Sequence, residues 1–407
     1  MPNQLITRCQ NRERPNILII TSERPCGPTY GAQIRLINIA RLLSRLGDVS
    51  FVVAGQPEMV SHECEFDIKR IAHLVQLPKR GIVGRIHHEL NPSFLETEGH
   101  VVCETDRAVV LGLMGESDII WIHGLKTANM LRVLKWPRSV LDIDDIPSLV
   151  FSSQAKEDSG IVMRMNNYRK SIIWRRRERL LRQRFSFVTV CSEEDRRYLG
   201  DSCRATVIPN GFESPEELPR HIPTAPPRIG FIGGLKWPPN KQGIERFMSL
   251  VWPRIKLEVP TARLRLVGEG SDAGFSQLGA DIDGLGWVSD PRQEIATWSA
   301  MVIPIYMGAG TRVKVADAFS KKCPVVSTPL GAFGYSVVHG EDLLIADNDI
   351  DLASACILLA KDQALGMRLA ENAWNKFIRN WTWDSIGDVV TKVARDCMVK
   401  GSCELLN

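Results

Sequence analysis

At 407 residues the chain is long enough for two domains of ordinary size. Its 44% hydrophobic and 24% charged content is that of a globular protein and excludes a disordered or fibrous one. A net charge of +4 provides no global polycation, so no nucleic-acid partner is expected, and no apolar run is long enough to span a bilayer as a helix. The first residues, MPNQLITRCQNRERP, lack the apolar core of a signal peptide. The ten cysteines form no CxxC and no Cys/His cluster. Reduced thiols, no zinc and a cytoplasmic location are expected, at the inner face of the membrane if the basic segment described below binds lipid.

In chain order, Asn16–Ile20 (NILII) is a short β-branched run predicted to form a strand. A Gly/Pro/Ser/Thr-containing loop, Thr21–Gly31, follows, then an amphipathic helix over Ala32–Leu46 and a second strand at Val49–Ala54. The run IIWIH ends at His123, which on residue type alone is as readily a satisfied polar side chain as a catalytic one. Asp142-Ile143-Asp144-Asp145 contains a DxD, whose two carboxylates would share one face of a strand. The repeated strand–helix pattern argues against the single-domain architecture in which DxD holds a metal. A polar strand end is therefore preferred, and no metal is expected.

The segment Arg164–Phe185 (RMNNYRKSIIWRRRERLLRQRF) is the most basic in the chain. At helical spacing Met165, Tyr168, Ile172, Ile173, Leu180 and Leu181 form a broad apolar stripe. It either packs on the first domain's sheet with its arginines solvated or paired with acids, which is preferred, or lies on an anionic membrane surface. Pro215–Pro227 (PEELPRHIPTAPP) reads as an interdomain linker.

The strand–loop–helix–strand order then recurs at Arg228–Ile232 (RIGFI), Gly233–Asn240, Lys241–Leu257 and Leu264–Gly268. It continues through Gly286–Val288, helix Pro291–Ser299, strand Met301–Ile305, loop Tyr306–Gly310, helix Thr311–Lys321 and strand Val325–Thr328. Short apolar runs alternating with helices predict an α/β fold of two Rossmann-like, doubly wound parallel-sheet domains. The expected division is 1–215, a linker at 216–227, a second domain at 228–375, and C-terminal helices at 376–407 crossing back to the first.

The loop Tyr306–Gly310 followed by Thr311-Arg312-Val313-Lys314 carries the strongest chemistry. It leaves a buried strand and opens a helix, so free backbone N–H groups and the helix dipole favour an anion. Gly308 and Gly310 permit close backbone approach, and Arg312 and Lys314 add charge for a diphosphate. The alternative is a tight glycine turn with two solvated cations, since neither a dinucleotide fingerprint nor a Walker A motif is matched. Asp317, about one turn on, is placed to accept from ribose hydroxyls or to be a surface acid.

The stretches IGFIGGLKWPPNKQGIERF, LRLVGEG, PIYMGAGTRVKVADAFSKKCPVVSTPLGAFG and HGEDLLIADN resemble, in order and spacing, the nucleotide-sugar domain of family 4 retaining glycosyltransferases of GT-B architecture. TYGAQIRLINIARLL, IIWIHGL, TVCSEEDRRYL and VIPNGFE extend the resemblance into the first half. It implies that Gly31 faces the donor phosphates, that His123 faces the reacting sugar or acceptor, and that Asn210 and Gly211 sit near the interdomain cleft. It places Gly233, Gly234 and Glu269 near the nucleotide, Arg312 and Lys314 at the diphosphate, and Asp317 in the place of a ribose-binding glutamate. Gly308, Ala309, Gly310 and Thr311 form the donor loop.

The sequence departs from the family at two positions. Ala309 replaces a glutamate that touches the transferred sugar, and Gly234 replaces an arginine. The second departure matches a subgroup with a WxPN loop, in which Lys236 or Lys241 supplies the charge. The resemblance implies a metal-independent hexosyltransferase of polysaccharide or glycoconjugate biosynthesis. Its co-substrate is a nucleoside diphosphate sugar, its acceptor a saccharide, lipid-linked or small molecule, and it needs no other cofactor. A non-catalytic GT-B subunit, favoured by Ala309, and a GT-B epimerase or phosphorylase stand as alternatives.

Overall fold

A computed structural model describes residues 14–27, 31–56, 64–78, 81–91, 99–157, 160–215, 217–272, 279–307 and 313–404. The chain divides into two compact units, Met1–Asn210 with Ile386–Asn407, and Gly211–Ser385.

The first unit holds β1 (Asn16–Thr21), β2 (Asp48–Ala54), β3 (Asp67–Ala72), β4 (Leu74–Gln76), β5 (His100–Val102), β6 (Ile119–His123), β7 (Trp136–Ile143), β8 (Phe185–Val190) and β9 (Thr206–Val207). Seven of them form a parallel sheet in the order β3-β2-β1-β6-β7-β8-β9, while β4 and β5 pair antiparallel. The central strands are mostly apolar because both faces are covered; every residue of IIWIH is buried. Helix Gly31–Ser44 forms the first crossover, burying Leu36, Ile39, Ala40 and Leu43.

The second unit holds β10 (Arg228–Ile232), β11 (Arg263–Val267), β12 (Ile282–Gly284), β13 (Ala300–Ile303), β14 (Val325–Ser327) and β15 (Leu344–Ile345). All are parallel, in the order β12-β11-β10-β13-β14-β15, the doubly wound 3-2-1-4-5-6 arrangement. Its strand order reverses between β10 and β13, and that of the first unit between β1 and β6. These are the switch points where such sheets open a crevice at the carboxyl ends of their strands. Residues 217–227 belong to the second unit, where the Ile222 and Thr224 N–H groups donate to the carbonyls of Ala296 and Thr297.

Three local readings change. The third strand of the second unit is Ile282–Gly284 rather than Gly286–Val288, and Gly286 has left the strand with φ +66°. The helix predicted over Lys241–Leu257 runs from Pro238 to Arg246, widens into a π turn at Phe247–Val251 and resumes at Trp252–Glu258. Pro253 has no N–H to give and its ring crowds the carbonyl four residues back, which accounts for the widening.

The third change concerns the basic segment. Helix Ile161–Glu178 does not pack its apolar stripe inward: Met165, Tyr168 and Ile172 are exposed, whereas Arg177 and Arg184 are buried. Only the far end of the stripe, Leu181, reaches the core. Polar bonds hold the inner face instead. Ser171 Oγ donates to the Ser148 carbonyl at 2.9 Å, and the Ser148 N–H donates to the buried Glu178 carboxylate at 2.9 Å. Among the described residues no helix is long and apolar enough to cross a membrane.

In the middle of β10, Gly230 lies against the buried Trp298 indole, and a Cβ there would fall 2.0 Å from Trp298 Cε3. Gly230→Ala is therefore expected to destabilise the second unit by about 3 kcal/mol through overpacking. Chemical denaturation read by tryptophan fluorescence checks this, and an unchanged midpoint would contradict the packing.

Candidate functional site

In the first unit the parallel register sets His123 beside Asp142 and Asp142 beside Thr189, at the carboxyl ends of β6, β7 and β8. Asp142 Oδ1 accepts from Thr189 Oγ1 at 2.7 Å and from Arg35 Nη2 at 2.6 Å. Its Oδ2 accepts from Arg35 Nε at 3.0 Å and lies 3.3 Å from His123 Nδ1. Arg35 comes from the first crossover helix, and its Nη1 also donates to the carbonyls of Ile208 and Pro209 and to Asn210 Oδ1, at 2.8, 3.1 and 3.0 Å.

Arg35, Asp142 and His123 are all buried. Burial opposes ionisation of Asp142, but the Arg35 charge and the hydrogen bonds from His123 and Arg35 outweigh it. They hold the carboxyl well below the usual carboxylate range. In a neutral His123 ring whose Nδ1–H faces that carboxylate, Nε2 is the accepting nitrogen. The second carboxylate of the DxD, Asp144, accepts from Asn210 Nδ2 and from Cys191 Sγ, each at 3.2 Å. Burial pushes the Cys191 thiol well up, which keeps it a donor. Among the described residues no group of three His, Cys, Asp or Glu side chains is placed to hold a metal ion.

In the second unit a second set gathers where β10 and β11 end. Gly233 has φ +152° and Gly268 φ +133°, and a Cβ on Gly268 would lie 2.4 Å from the Gly233 carbonyl oxygen. A Cβ on Gly233 would lie 2.8 Å from both Asn240 Nδ2 and Lys314 Nζ. Both positions thus favour glycine through their positive φ, and at Gly268 the Gly233 backbone also leaves no room for a Cβ.

Lys314, from helix Val313–Phe319, holds Nζ 5.7 Å from the Phe231 ring centroid and 5.9 Å from that of Trp237. Asn240 Nδ2 donates to the Gly234 carbonyl at 2.8 Å, while its buried Oδ1 has no partner among the described residues. Lys236 pairs with Glu269, and both are exposed. At the end of the segment that follows β13, the Tyr306 hydroxyl donates to Asp349 Oδ1 at 3.0 Å, and the Arg246 guanidinium lies over the Tyr306 ring at 4.3 Å.

The residues singled out from the sequence therefore fall into two local groups. His123 and Asn210 join one network in the first unit, through Asp142 and Arg35. Gly233, Gly234, Lys236, Glu269 and Lys314 gather around the ends of β10 and β11 in the second. Asp317 shares the helix of Lys314, but its carboxylate pairs with Lys321. Lys241 lies 3.9 Å from Glu245. Gly211 packs on Trp383, whose indole a Cβ would meet at 2.5 Å, so packing alone accounts for that glycine. Among the described residues neither Gly31 nor Gly234 has an atom within 4 Å of where a Cβ would stand. Gly308, Ala309, Gly310, Thr311 and Arg312 lie outside the described residues.

Neither Arg35 nor Asn240 is among the residues that the sequence marks as candidates. Arg35 did carry a signal: it occupies the apolar stripe of its helix, four residues before the buried Ile39.

Residues 226–362 match the family described as glycosyl transferases, group 1. Sucrose-phosphate synthase from Thermosynechococcus elongatus superposes with a TM-score of 0.66 at 16% identity, over 95% of this chain and 100% of that one. Anabaena HepE, in a crystal structure with UDP-glucose, superposes with a TM-score of 0.58 at 15% identity, over 94% of this chain and 100% of that one. The fold is GT-B. A Klebsiella pneumoniae protein described as an uncharacterized 44.6 kDa protein in the cps region is 29% identical over 185 residues, 40% of this chain and 48% of that protein. The chain thus spans about half the length of the curated relative it matches. The family match covers most of the second unit of this GT-B chain, including Gly233, Asn240, Glu269, Lys314 and Asp317. Together the family match and the fold support a glycosyltransferase.

Proposed function

We propose that the chain is a retaining glycosyltransferase that moves a hexose-type sugar from a nucleoside diphosphate sugar to a saccharide, lipid-linked or small-molecule acceptor. The observation that carries this reading is the crowding of Lys314 Nζ and Asn240 over the side-chain-free backbone at Gly233, at the switch point of the sheet that matches the family. Bare backbone and an ammonium group at a strand end suit a diphosphate, and Asn240 Oδ1, without a partner among the described residues, offers an acceptor to a ligand hydroxyl or N–H. The UDP-glucose bound to the HepE neighbour is in keeping with a nucleotide-sugar donor.

Breaking the donor C1–O bond moves an electron pair onto the diphosphate, where Lys314, with Arg312, stabilises the growing charge. The acceptor oxygen attacks C1 from the same face, and its proton passes to the departing phosphate oxygen, so configuration is retained. No protein nucleophile and no metal are needed for that step.

A thermal-shift series with UDP, GDP, ADP and their sugars tests the donor class. The cognate nucleotide at about one hundred times its Kd is expected to raise the melting temperature by about 5–10 °C. No shift with any of them would remove the nucleotide-sugar reading. Analysis of the sugar product then separates a transferase from an epimerase or a phosphorylase. Nucleotide binding without turnover of any donor would identify the non-catalytic subunit that Ala309 favours.

A further inference from the structure

Helix Ile161–Glu178 is inverted relative to an ordinary surface helix. Its inward face carries Asn167, Ser171, Trp174 and Glu178, tied down by Ser148. Arg175 adds a further tie, donating to the Tyr198 carbonyl at 2.6 Å. An outward face carries Ile161, Met165, Tyr168 and Ile172, exposed by 74, 68, 63 and 47%. At 100° per residue these four lie within about 60° of one another, a row about 16 Å long. Because the inner face is hydrogen-bonded, the helix cannot roll to bury the row without breaking those bonds.

Cations flank the row on both sides, Arg164 on one and Arg169 and Arg176 on the other. Arg169 Nη1 pairs at 2.7 Å with Glu89 Oε1 of helix Ile82–Leu90. That second helix exposes its own apolar row, Val83, Ile86 and Leu90, at i, i+3 and i+7. The two rows are joined by that ion pair. The only acid of the longer helix, Glu178, is buried, so its outward charge is wholly basic.

We propose that this face of the first unit docks on an anionic lipid bilayer, with Ile161, Met165, Tyr168 and Ile172 entering the interface and the flanking arginines meeting lipid phosphates. A narrow apolar row edged on both sides by cations is the pattern of a helix lying in the plane of a bilayer. Its partner must be negatively charged as well as apolar. The docking face belongs to the first unit and the residues around Gly233 to the second, so either assignment can fail without the other.

The test is co-sedimentation of the full chain with mixed phosphatidylcholine–phosphatidylglycerol vesicles. Binding is expected at low salt, with release near molar salt as the screening length contracts about tenfold, and little binding to pure phosphatidylcholine. The double variant Met165→Glu/Ile172→Glu and the double variant Arg164→Glu/Arg176→Glu are each expected to lower partitioning by about tenfold or more. Leu257→Glu, which changes a more exposed apolar residue in the second unit, should leave it unaltered. In an otherwise wild-type chain, Tyr168→Trp should show a blue shift of its added emission on meeting mixed vesicles, a readout independent of how well the glutamate variants fold. Failure to bind at low salt, equal binding to neutral vesicles, or an unshifted added emission in the Tyr168→Trp variant would overturn the proposal. So would light scattering showing that the Met165→Glu/Ile172→Glu variant breaks a dimer of the chain while vesicle binding persists.

Discussion

Lys314→Ala is expected to lower kcat/KM for sugar transfer by about 10²–10³-fold, mostly through kcat, while the melting temperature stays within about 3 °C of wild type. The charge on the diphosphate grows as the C1–O bond breaks, so an ammonium aimed at it matters more in the transition state than for holding the ground-state donor. Lys314 also lies over the Phe231 and Trp237 rings, so a merely structural lysine would announce itself as lost stability. Lys314→Met separates the two roles, because it keeps the aliphatic packing and removes the charge. Turnover near wild type in both variants, measured by nucleoside diphosphate release with acceptor present, would remove Lys314 from the donor site.

The second large effect is expected at Asp142. Asp142→Ala leaves the Arg35 guanidinium buried without its carboxylate, and the first unit should lose about 3–5 kcal/mol. For a unit of this size that is a fall in melting temperature of about 6–20 °C. The double variant Arg35→Met/Asp142→Ala is expected to recover at least half of the loss, since it removes the orphaned charge with the pair. Losses that simply add would show that the two side chains do not act as a pair.

The pH dependence follows from the same pair. The folded-state pKa of Asp142 lies below its unfolded value, so its contribution is fully present above the ordinary carboxylate pKa of about 3.9. It fades as pH falls from there through the depressed folded value. Acid unfolding of the Arg35→Met/Asp142→Ala variant should accordingly be shallower below about pH 4 than that of wild type.

The strands were legible because a buried parallel strand must be apolar on both faces: NILII, IIWIH and RIGFI announce β1, β6 and β10 through local composition. Gly233 was legible only through the family resemblance, which placed it near the nucleotide. What it approaches, the Lys314 ammonium arriving from a helix some eighty residues later, is a matter of strand order. The DxD shows the limit more sharply. Residue type allowed a metal site or a polar strand end, and the register of β7 against β6 and β8 put Asp142 between His123 and Thr189, with Arg35 arriving from another element.

The basic helix marks the same boundary. Its periodicity correctly placed Met165, Tyr168 and Ile172 on one face, because 3.6 residues per turn is a property of the backbone. It could not say which way that face points. The direction was set by Ser148, Glu178 and Tyr198, whose hydrogen bonds hold the inner side against the unit. The order of residues along this chain thus determined its most apolar strands, its helical faces and its α/β class, all of which depend on neighbours within a few residues. Only the tertiary structure decided the partner of each buried charge and the outward turn of the apolar row, because both depend on groups brought together from distant parts of the chain.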